Sequence, residues 1–290
     1  MPQSRLTIAK PDIIKAFEAA PSHVFTRGEI DEIVAANRAF WRLTASTTTN
    51  KFITYLLNAA PLKAVRFEFP YRPTIRYMWG EIHPILVAQS LKPEGYFSHY
   101  TAIQLHGLTE QIPKTIYLNF EQDLAGGGGE LTQERIDRAF KLKPRVSNNV
   151  APLGDLRVCL LNGRSTGRLG VIEIDAPRIG RLRVTGIERT LIDAAVRPVY
   201  AGGVSDVAEA YRLAADRVSV NKLVAYLKKL AYTYPYHQAI GYYLERADVY
   251  KDSQLDLLRR IPRKFDFYLA NRMGAVQYDE KWRLFVPQGF

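Results

Sequence analysis

Apolar residues keep helical spacing through the first sixty positions of the chain and then switch to alternation. In PDIIKAFEAA, Ile13, Ile14 and Phe17 form a stripe at i, i+1 and i+4, and Pro11 suits the first turn of a helix. In TRGEIDEIVAAN, Thr26 and Glu29 have capping-box spacing, and Ile30, Ile33 and Val34 make a second stripe. A third helix is expected over ASTTTNKFITYLLNAA, residues 45–60, ending at Pro61. On a wheel at 100° per residue, Phe52, Ile53, Leu56, Leu57 and Ala60 gather on one side with Thr49. Thr47, Lys51, Thr54, Tyr55 and Asn58 gather opposite, with Thr48 at the edge and Asn50 at the boundary. LKAVRFEF and TIRYMWG then alternate on either side of the turn PYRP, which predicts a β-hairpin. Three short helices followed by a hairpin is the order of a winged helix-turn-helix, expected over residues 1–81.

Residues 82–290 read as a larger mixed α/β domain, so the fold class is α+β. Residues 81–94 suggest a connecting helix, and GYFSHYTAIQLHGL a helix capped by Ser98. KTIYLNF, LRVCLLN, GVIEID and RLRVTG read as strands, and LAGGGGE as a flexible link. Helices follow around 187–197, 205–216, 219–230, 236–248 and 253–261, with FDFYLA and WRLFVPQ as closing strands.

Charge changes this picture most. Forty basic residues against 29 acidic ones leave a net charge of +11, with a pI near 9.6. Such an excess favours an anionic partner, most often nucleic acid. Residues 36–80 hold seven basic groups (Arg38, Arg42, Lys51, Lys63, Arg66, Arg72, Arg76) and one acid, Glu68. The third helix has no acidic residue. Hydroxyls and amides donate and accept at base edges, threonine methyls meet thymine methyls, and lysine meets phosphate. The third helix therefore reads as a recognition helix. Arg42, Thr47, Thr48, Lys51, Thr54, Tyr55 and Asn58 are its candidate DNA contacts. Arg66, Arg72 and Arg76 are candidates on the hairpin, whose tip carries Tyr71 and Arg72 as a wing.

Enzyme and metal signatures do not assemble. AGGGGE and NGRSTG lack the Gly-Lys-Ser/Thr of a phosphate loop. VIEID resembles part of a nuclease core, with Asp155 and Glu173 in the first two places, but Asp175 stands where the lysine belongs. His99 and His106, seven apart, read as structural histidines. One cysteine, Cys159, and five histidines leave no zinc spacing and no disulfide within the chain. In VTGIERTLIDAA, Thr185 and Glu188 have capping-box spacing, so Glu188 is expected to reach back to the helix start; Arg189 and Asp193 are placed to pair at i, i+4. MPQSRLTIAK has no apolar h-region, and no window of about 18 apolar residues exists. The expectation is a cytoplasmic, non-enzymatic protein with no cofactor, no metal and no membrane contact.

Three segments carry a resemblance. HPILVAQSLKPEGYFSHYTAIQLHGLTEQIPKTIYL, VTGIERTLIDAAVRPVYAGGVSDVAEAY and AIGYYLERADV look like the AbiEi antitoxins of bacterial type IV toxin–antitoxin systems, which are linked to phage defence by abortive infection. The resemblance covers roughly residues 82–290 and, more loosely, the winged-helix region. It rests on Ser-His-x-x-Ala-(x)3-His-Gly-Leu, Glu-Arg-Thr-Leu-Ile-Asp and Tyr-Ala-Gly-Gly in this order. It implies a winged helix that binds inverted repeats in its own promoter and represses transcription. It also implies a larger domain that neutralises an AbiEii-like nucleotidyltransferase toxin without requiring a stable complex. The family-like positions are Ser98, His99, Gly107, Glu188, Arg189, Thr190, Asp193, Gly202 and Gly203, of which Ser98 reads as a cap and the three glycines as turn residues. The chain departs from the family's short wing ending in Arg-Gly-Val-Tyr, having RFEFPYRPTIRYMWG instead. Residues 141–190 add ten basic groups against four acids. There Arg157, Arg164, Arg168, Arg178, Arg181 and Arg183 suit a second nucleic-acid surface, or a face for the toxin or its RNA substrate. A stand-alone regulator with a ligand-sensing second domain, and an enzyme, are the rival readings.

Overall fold

A computed structural model describes residues 4–123 and 129–290. Most of the expected link LAGGGGE, residues 124–128, lies outside the described residues. The chain forms two compact units. The first holds the residues up to Pro93 together with Asn149–Val158 and Arg178–Gly180; the second holds Glu94–Asn148, Cys159–Pro177 and Arg181–Phe290.

In the first unit, α1 (Arg5–Glu18) starts well before the expected Pro11. Ser4 caps it, its hydroxyl accepting the Thr7 N–H at 3.2 Å. Pro11 lies inside the helix and forgoes the bond its own N–H would give to the Thr7 carbonyl. After the two-residue strand β1 (Val24–Phe25), α2 (Arg27–Asn37) opens with the expected capping box. Glu29 accepts the Thr26 N–H at 2.6 Å, and Thr26 accepts the Glu29 N–H at 3.2 Å. The turn after α2 closes with Arg42 in the left-handed region at φ 52°, and α3 (Thr49–Ala59) follows. Strands β2 (Leu62–Phe67) and β3 (Thr74–Trp79) form the expected hairpin, and β1 adds to β3, all antiparallel. The stripes meet where the sequence places them. Ile13 and Phe17, Ile30 and Val34, Phe52, Ile53 and Leu56 pack with Tyr77 and Trp79 in one core. Phe17 lies 4.7 Å from Trp79 and 5.1 Å from Phe25, and Trp41 stacks on Phe52 at 5.7 Å. Pairs of this kind add roughly 0.5–1.5 kcal/mol each beyond their buried area. The first unit is a winged helix-turn-helix in which α2 and α3 form the helix-turn-helix and β2–β3 the wing. The expected connecting helix is α4 (Pro84–Gln89), with Pro84 at its first position.

The remainder is a larger mixed α/β assembly. Its elements are β4 (Tyr96–Phe97), α5 (His99–Leu105), β5 (Thr115–Gln122) and α6 (Gln133–Lys141). Next come β6 (Val150–Leu153), which belongs to the first unit, and β7 (Leu156–Arg164), β8 (Val171–Ala176) and β9 (Gly180–Thr185). Helices α7 (Ile187–Val196), α8 (Val204–Leu213), α9 (Val220–Leu230), α10 (Tyr236–Arg246) and α11 (Asp252–Arg259) precede β10 (Phe267–Tyr268), β11 (Val276–Asp279) and β12 (Leu284–Pro287). Neighbouring strands run β7-β5-β4-β9-β8, with β4 antiparallel to β5 and parallel to β9. The closing strands form a small sheet, β10-β12-β11. Helix α7 is buried from Glu188 to Ala195 and is the axis of the helical core. Around it, Tyr211 stacks on Tyr243 at 5.2 Å. Gly241 lies against the Trp282 ring so closely that any Cβ there would overlap it.

Two capping expectations are corrected. Ser98 occupies the N-cap position of α5 but makes no side-chain cap bond; its hydroxyl is shared with His99 Nδ1 at 2.9 Å. Helix α7 is capped by Gly186, not Thr185. Glu188 reaches across to α9 instead, accepting the Ser219 N–H at 3.1 Å and pairing with Lys222 at 3.0 Å.

Candidate functional site

The first candidate surface is the outer face of α3. The threonine-rich stretch before it is a hydrogen-bonded cap and not a helical turn, which corrects the expected start at residue 45. Thr48 is the N-cap, its hydroxyl accepting the Lys51 N–H at 3.3 Å. Thr44 shares hydroxyl bonds with Ser46 at 2.9 Å and Thr47 at 3.3 Å. Arg38 clamps the same turn from α2, donating to the carbonyls of Thr44 at 2.7 Å and Thr47 at 3.1 Å. Thr47 is therefore half-buried in the turn. Thr49 faces the core and hydrogen-bonds Asp31. Leu57 does not join the core; it is 41% exposed, because Thr49 takes the centre of the buried stripe and Leu57 falls at its margin.

What remains outward on α3 is Lys51, Thr54 and Asn58, all exposed, with Tyr55 half-buried beside them. Lys51 Nζ donates to the Ser46 carbonyl at 3.2 Å, and the Asn58 amide to the Thr54 carbonyl at 2.8 Å. Thr48 and Arg42 are exposed at the turn preceding this face. On the wing, Arg66 is paired with Glu68 at 2.5 Å and Lys63 with Glu81. Arg72 and Tyr71 are exposed on the hairpin loop. Arg76 is a correction: it is buried, with Nε on the Ser90 hydroxyl at 3.2 Å and Nη2 on the Ser90 carbonyl at 3.0 Å. It is held by the stretch that follows the wing and is not offered to a nucleic acid.

The second candidate is a cleft of about 610 Å³ whose lining belongs entirely to the second unit. Small-molecule sites span roughly 300–1,000 Å³. Residues far apart in sequence meet here: His99 from α5, Asn119 from β5, Arg164 from β7, Arg189 and Asp193 from α7, and Arg197 and Tyr200 just beyond it. Arg189 and Asp193 form the expected pair at 2.8 Å, both buried. Burial alone would lower the Arg189 pKa, but Asp193 more than offsets it and keeps the guanidinium charged. Arg189 also donates to the Leu169 carbonyl at 2.8 Å and the Thr166 hydroxyl at 3.3 Å.

From Thr166 a polar chain continues inward. Glu121 accepts from the Thr166 hydroxyl and the Thr166 N–H at 2.5 and 2.8 Å, and from the Tyr96 hydroxyl at 3.0 Å. Asn119 donates to Tyr96 at 2.7 Å. Burial acts to raise the Glu121 carboxyl, but the bonds from Thr166, Arg168 and Tyr96 outweigh it and hold it ionised below the usual range. His99 is kept neutral, its pKa lowered to about 4 by burial and only partly restored by Asp193. It also takes the left-handed backbone conformation at φ 52°. Among the described residues its Nε2 has no hydrogen-bond partner.

The other family-like positions support this region without lining the cleft. Thr190 bonds the Thr185 hydroxyl and carbonyl at 2.8 and 2.9 Å. Gly107 follows α5 with φ 63°. Gly202 has φ 84°, and a Cβ there would overlap the Asp206 carboxylate, which Tyr100 holds at 2.8 Å. Gly203 caps α8 at φ 101°. Two of the six arginines of the expected second basic surface have acidic partners: Arg168 pairs with Glu94, and Arg181 lies 3.7 and 3.8 Å from Glu173 and Asp175. Glu173 and Asp175 thus serve a hairpin cation, and no group of three or more His, Cys, Asp or Glu among the described residues is placed to hold a metal. Of the six arginines named there, only Arg164 joins the cleft. Sequence reading passed over Arg145, Arg197 and the tyrosines of AYTYPY, which are also in the lining. Three tyrosines alternating within residues 232–236 were the available signal.

No known protein family matches the chain in sequence, and no curated protein does. Among solved structures it is similar to the crystal structure of the RV2827C protein from Mycobacterium tuberculosis. The TM-score is 0.62 at 14% identity, over 96% of this chain and 91% of that one. The likeness is one of fold. The architecture comprises a winged-helix unit and a larger mixed α/β unit. No helix among the described residues is long and apolar enough to cross a membrane.

Proposed function

We propose that the chain is an autoregulating antitoxin of the AbiEi kind: its winged helix binds inverted repeats in the promoter of its own operon, and the larger domain neutralises an AbiEii-like nucleotidyltransferase toxin. The observation that carries the DNA-binding half is the outer face of α3. Lys51, Thr54, Tyr55 and Asn58 stand there on a helix with no acidic residue, flanked by Arg42. Groups of this kind contact phosphate and read base edges in a major groove. The antitoxin half rests on the ordered motifs of the second region. Its support in the fold is that Ser98-His99 and Arg189-Asp193, 90 residues apart in sequence, flank and line one cleft.

The test is co-expression with the product of the neighbouring gene. Growth rescue from a nucleotidyltransferase toxin supports the antitoxin role. A neighbouring toxin that kills equally in the presence of well-expressed, folded protein contradicts it. The same cleft favours a second reading, in which the chain is a stand-alone winged-helix regulator whose second unit senses a ligand. Absence of any adjacent nucleotidyltransferase gene, with promoter binding intact, selects that reading.

A further inference from the structure

The cleft of the second unit has a chemistry that neither DNA binding by α3 nor the antitoxin motifs accounts for. Four arginines line it (Arg145, Arg164, Arg189 and Arg197) against one acid, Asp193. Asp193 is already matched by Arg189 at 2.8 Å. The other three guanidiniums are exposed and come from three separate segments of the chain. Among the described residues none of them has a carboxylate partner. Arg164 is steadied by the Leu230 carbonyl at 2.7 Å, and Arg197 reaches the Arg145 carbonyl at 3.4 Å. Elsewhere in the second unit five arginines do meet acids: Arg168, Arg181, Arg212, Arg259 and Arg283.

Its remaining wall is aromatic and amide-bearing. Tyr232, Tyr234 and Tyr236 form an edge-to-face run with centroids 5.3 and 6.2 Å apart. Across the lining, Tyr200 meets the His99 ring at 5.3 Å. Uncompensated guanidiniums bind phosphate oxygens in forked geometry. Tyrosine faces accept a planar base by stacking. Asn162 and the unpartnered His99 Nε2 supply polar groups for a base edge or a sugar.

We infer that this cleft is a nucleotide-binding site: Arg145, Arg164 and Arg197 hold the phosphate, and the tyrosine wall receives the base. The ligand is a phosphorylated nucleoside, either free or as the terminal unit of a single RNA strand. This inference is independent of the antitoxin role and needs only the second unit as it stands in the full chain.

The experiment is calorimetric titration of the full-length protein with each nucleoside monophosphate and triphosphate, with inorganic phosphate, with the unphosphorylated nucleosides, and with short single-stranded RNAs differing in the terminal base. At least one nucleotide or RNA is expected to bind saturably, at least tenfold more tightly than phosphate or nucleoside alone. Tighter binding of the RNA than of the free nucleotide assigns the site to a strand end, and the reverse to a free nucleotide. Arg164→Ala with Arg197→Ala, both exposed positions, should weaken that binding at least tenfold while leaving duplex promoter binding and the melting temperature unchanged. Arg145→Ala, whose side chain makes no hydrogen bond among the described residues, gives a second variant with no folding role. Failure of every nucleotide and RNA to saturate would overturn the assignment. So would full affinity in these variants, or phosphate alone binding as tightly as the nucleotide.

Discussion

Asp193 and Arg189 illustrate how much a single pair can decide at the residue scale. Both are buried, and each is the other's counter-charge. Removing one partner leaves an uncompensated buried ion, which costs about 3–5 kcal/mol. Asp193→Ala should therefore lower the urea midpoint strongly, whereas replacing both residues with apolar side chains of similar volume should recover most of the loss. His99 gives a pH dependence. Its folded pKa, about 4, lies below the ordinary histidine value of 6.5. The native state thus binds fewer protons than the unfolded chain between these limits. Its contribution to stability is full above about pH 6.5 and is lost as pH falls toward 4. A melting series over that window should show stability falling with acidification, and His99→Gln should flatten the slope. Gly202→Ala meets both a left-handed backbone and the Asp206 carboxylate. It is expected to cost about 1–3 kcal/mol and lower the melting temperature.

At the scale of elements, the start of α3 depends on one hydroxyl. Thr48→Ala removes the N-cap bond to Lys51 and should cost about 1 kcal/mol; Thr48→Ser should restore it. Thermal unfolding of the two variants checks both. Elements with a clear period were mostly legible in sequence, although α6, with Ile136 and Phe140 buried at i and i+4, was passed over. The α2 capping box, the α3 core stripe, the β2–β3 hairpin and α7 to α11 all lie close to where spacing puts them. Elements without a period were not. The strands Val24–Phe25 and Tyr96–Phe97 are two residues long, too short to show alternation, and are defined by their pairing, the first with β3 and the second with β5 and β9. Side-chain destinations were less legible than elements. Glu188 has capping-box spacing from Thr185, yet Ser219 and Lys222 of α9 take its carboxylate. Arg76 alternates as an outward cation in sequence, yet Ser90 draws it inward. Each outcome was set by a partner distant along the chain, which local pattern does not register. The cleft is the extreme case: its arginines and tyrosines come from positions 145 to 236 and converge only when the second unit folds.

For the whole molecule, the units are not consecutive in sequence. Asn149–Val158 and Arg178–Gly180 belong with the residues up to Pro93. Functional dissection is therefore best done by point substitution in the full chain and not by cutting near residue 81. The charge distribution differs from region to region. The α3 face keeps its cations without acids, the wing pairs two of its own, and the cleft keeps three arginines unmatched. The central claim is that the α3 face binds the promoter of the chain's own operon. It is tested most directly by measuring affinity for a duplex carrying the DNA upstream of the gene, against a scrambled duplex, at several salt concentrations. The wild-type protein should prefer the upstream duplex, with affinity falling steeply as salt rises. The combined variant Lys51→Ala, Thr54→Ala, Asn58→Ala should lose at least tenfold in affinity for that duplex while melting normally. Equal affinity for the two duplexes, or an upstream affinity unchanged in the folded variant, would contradict the account.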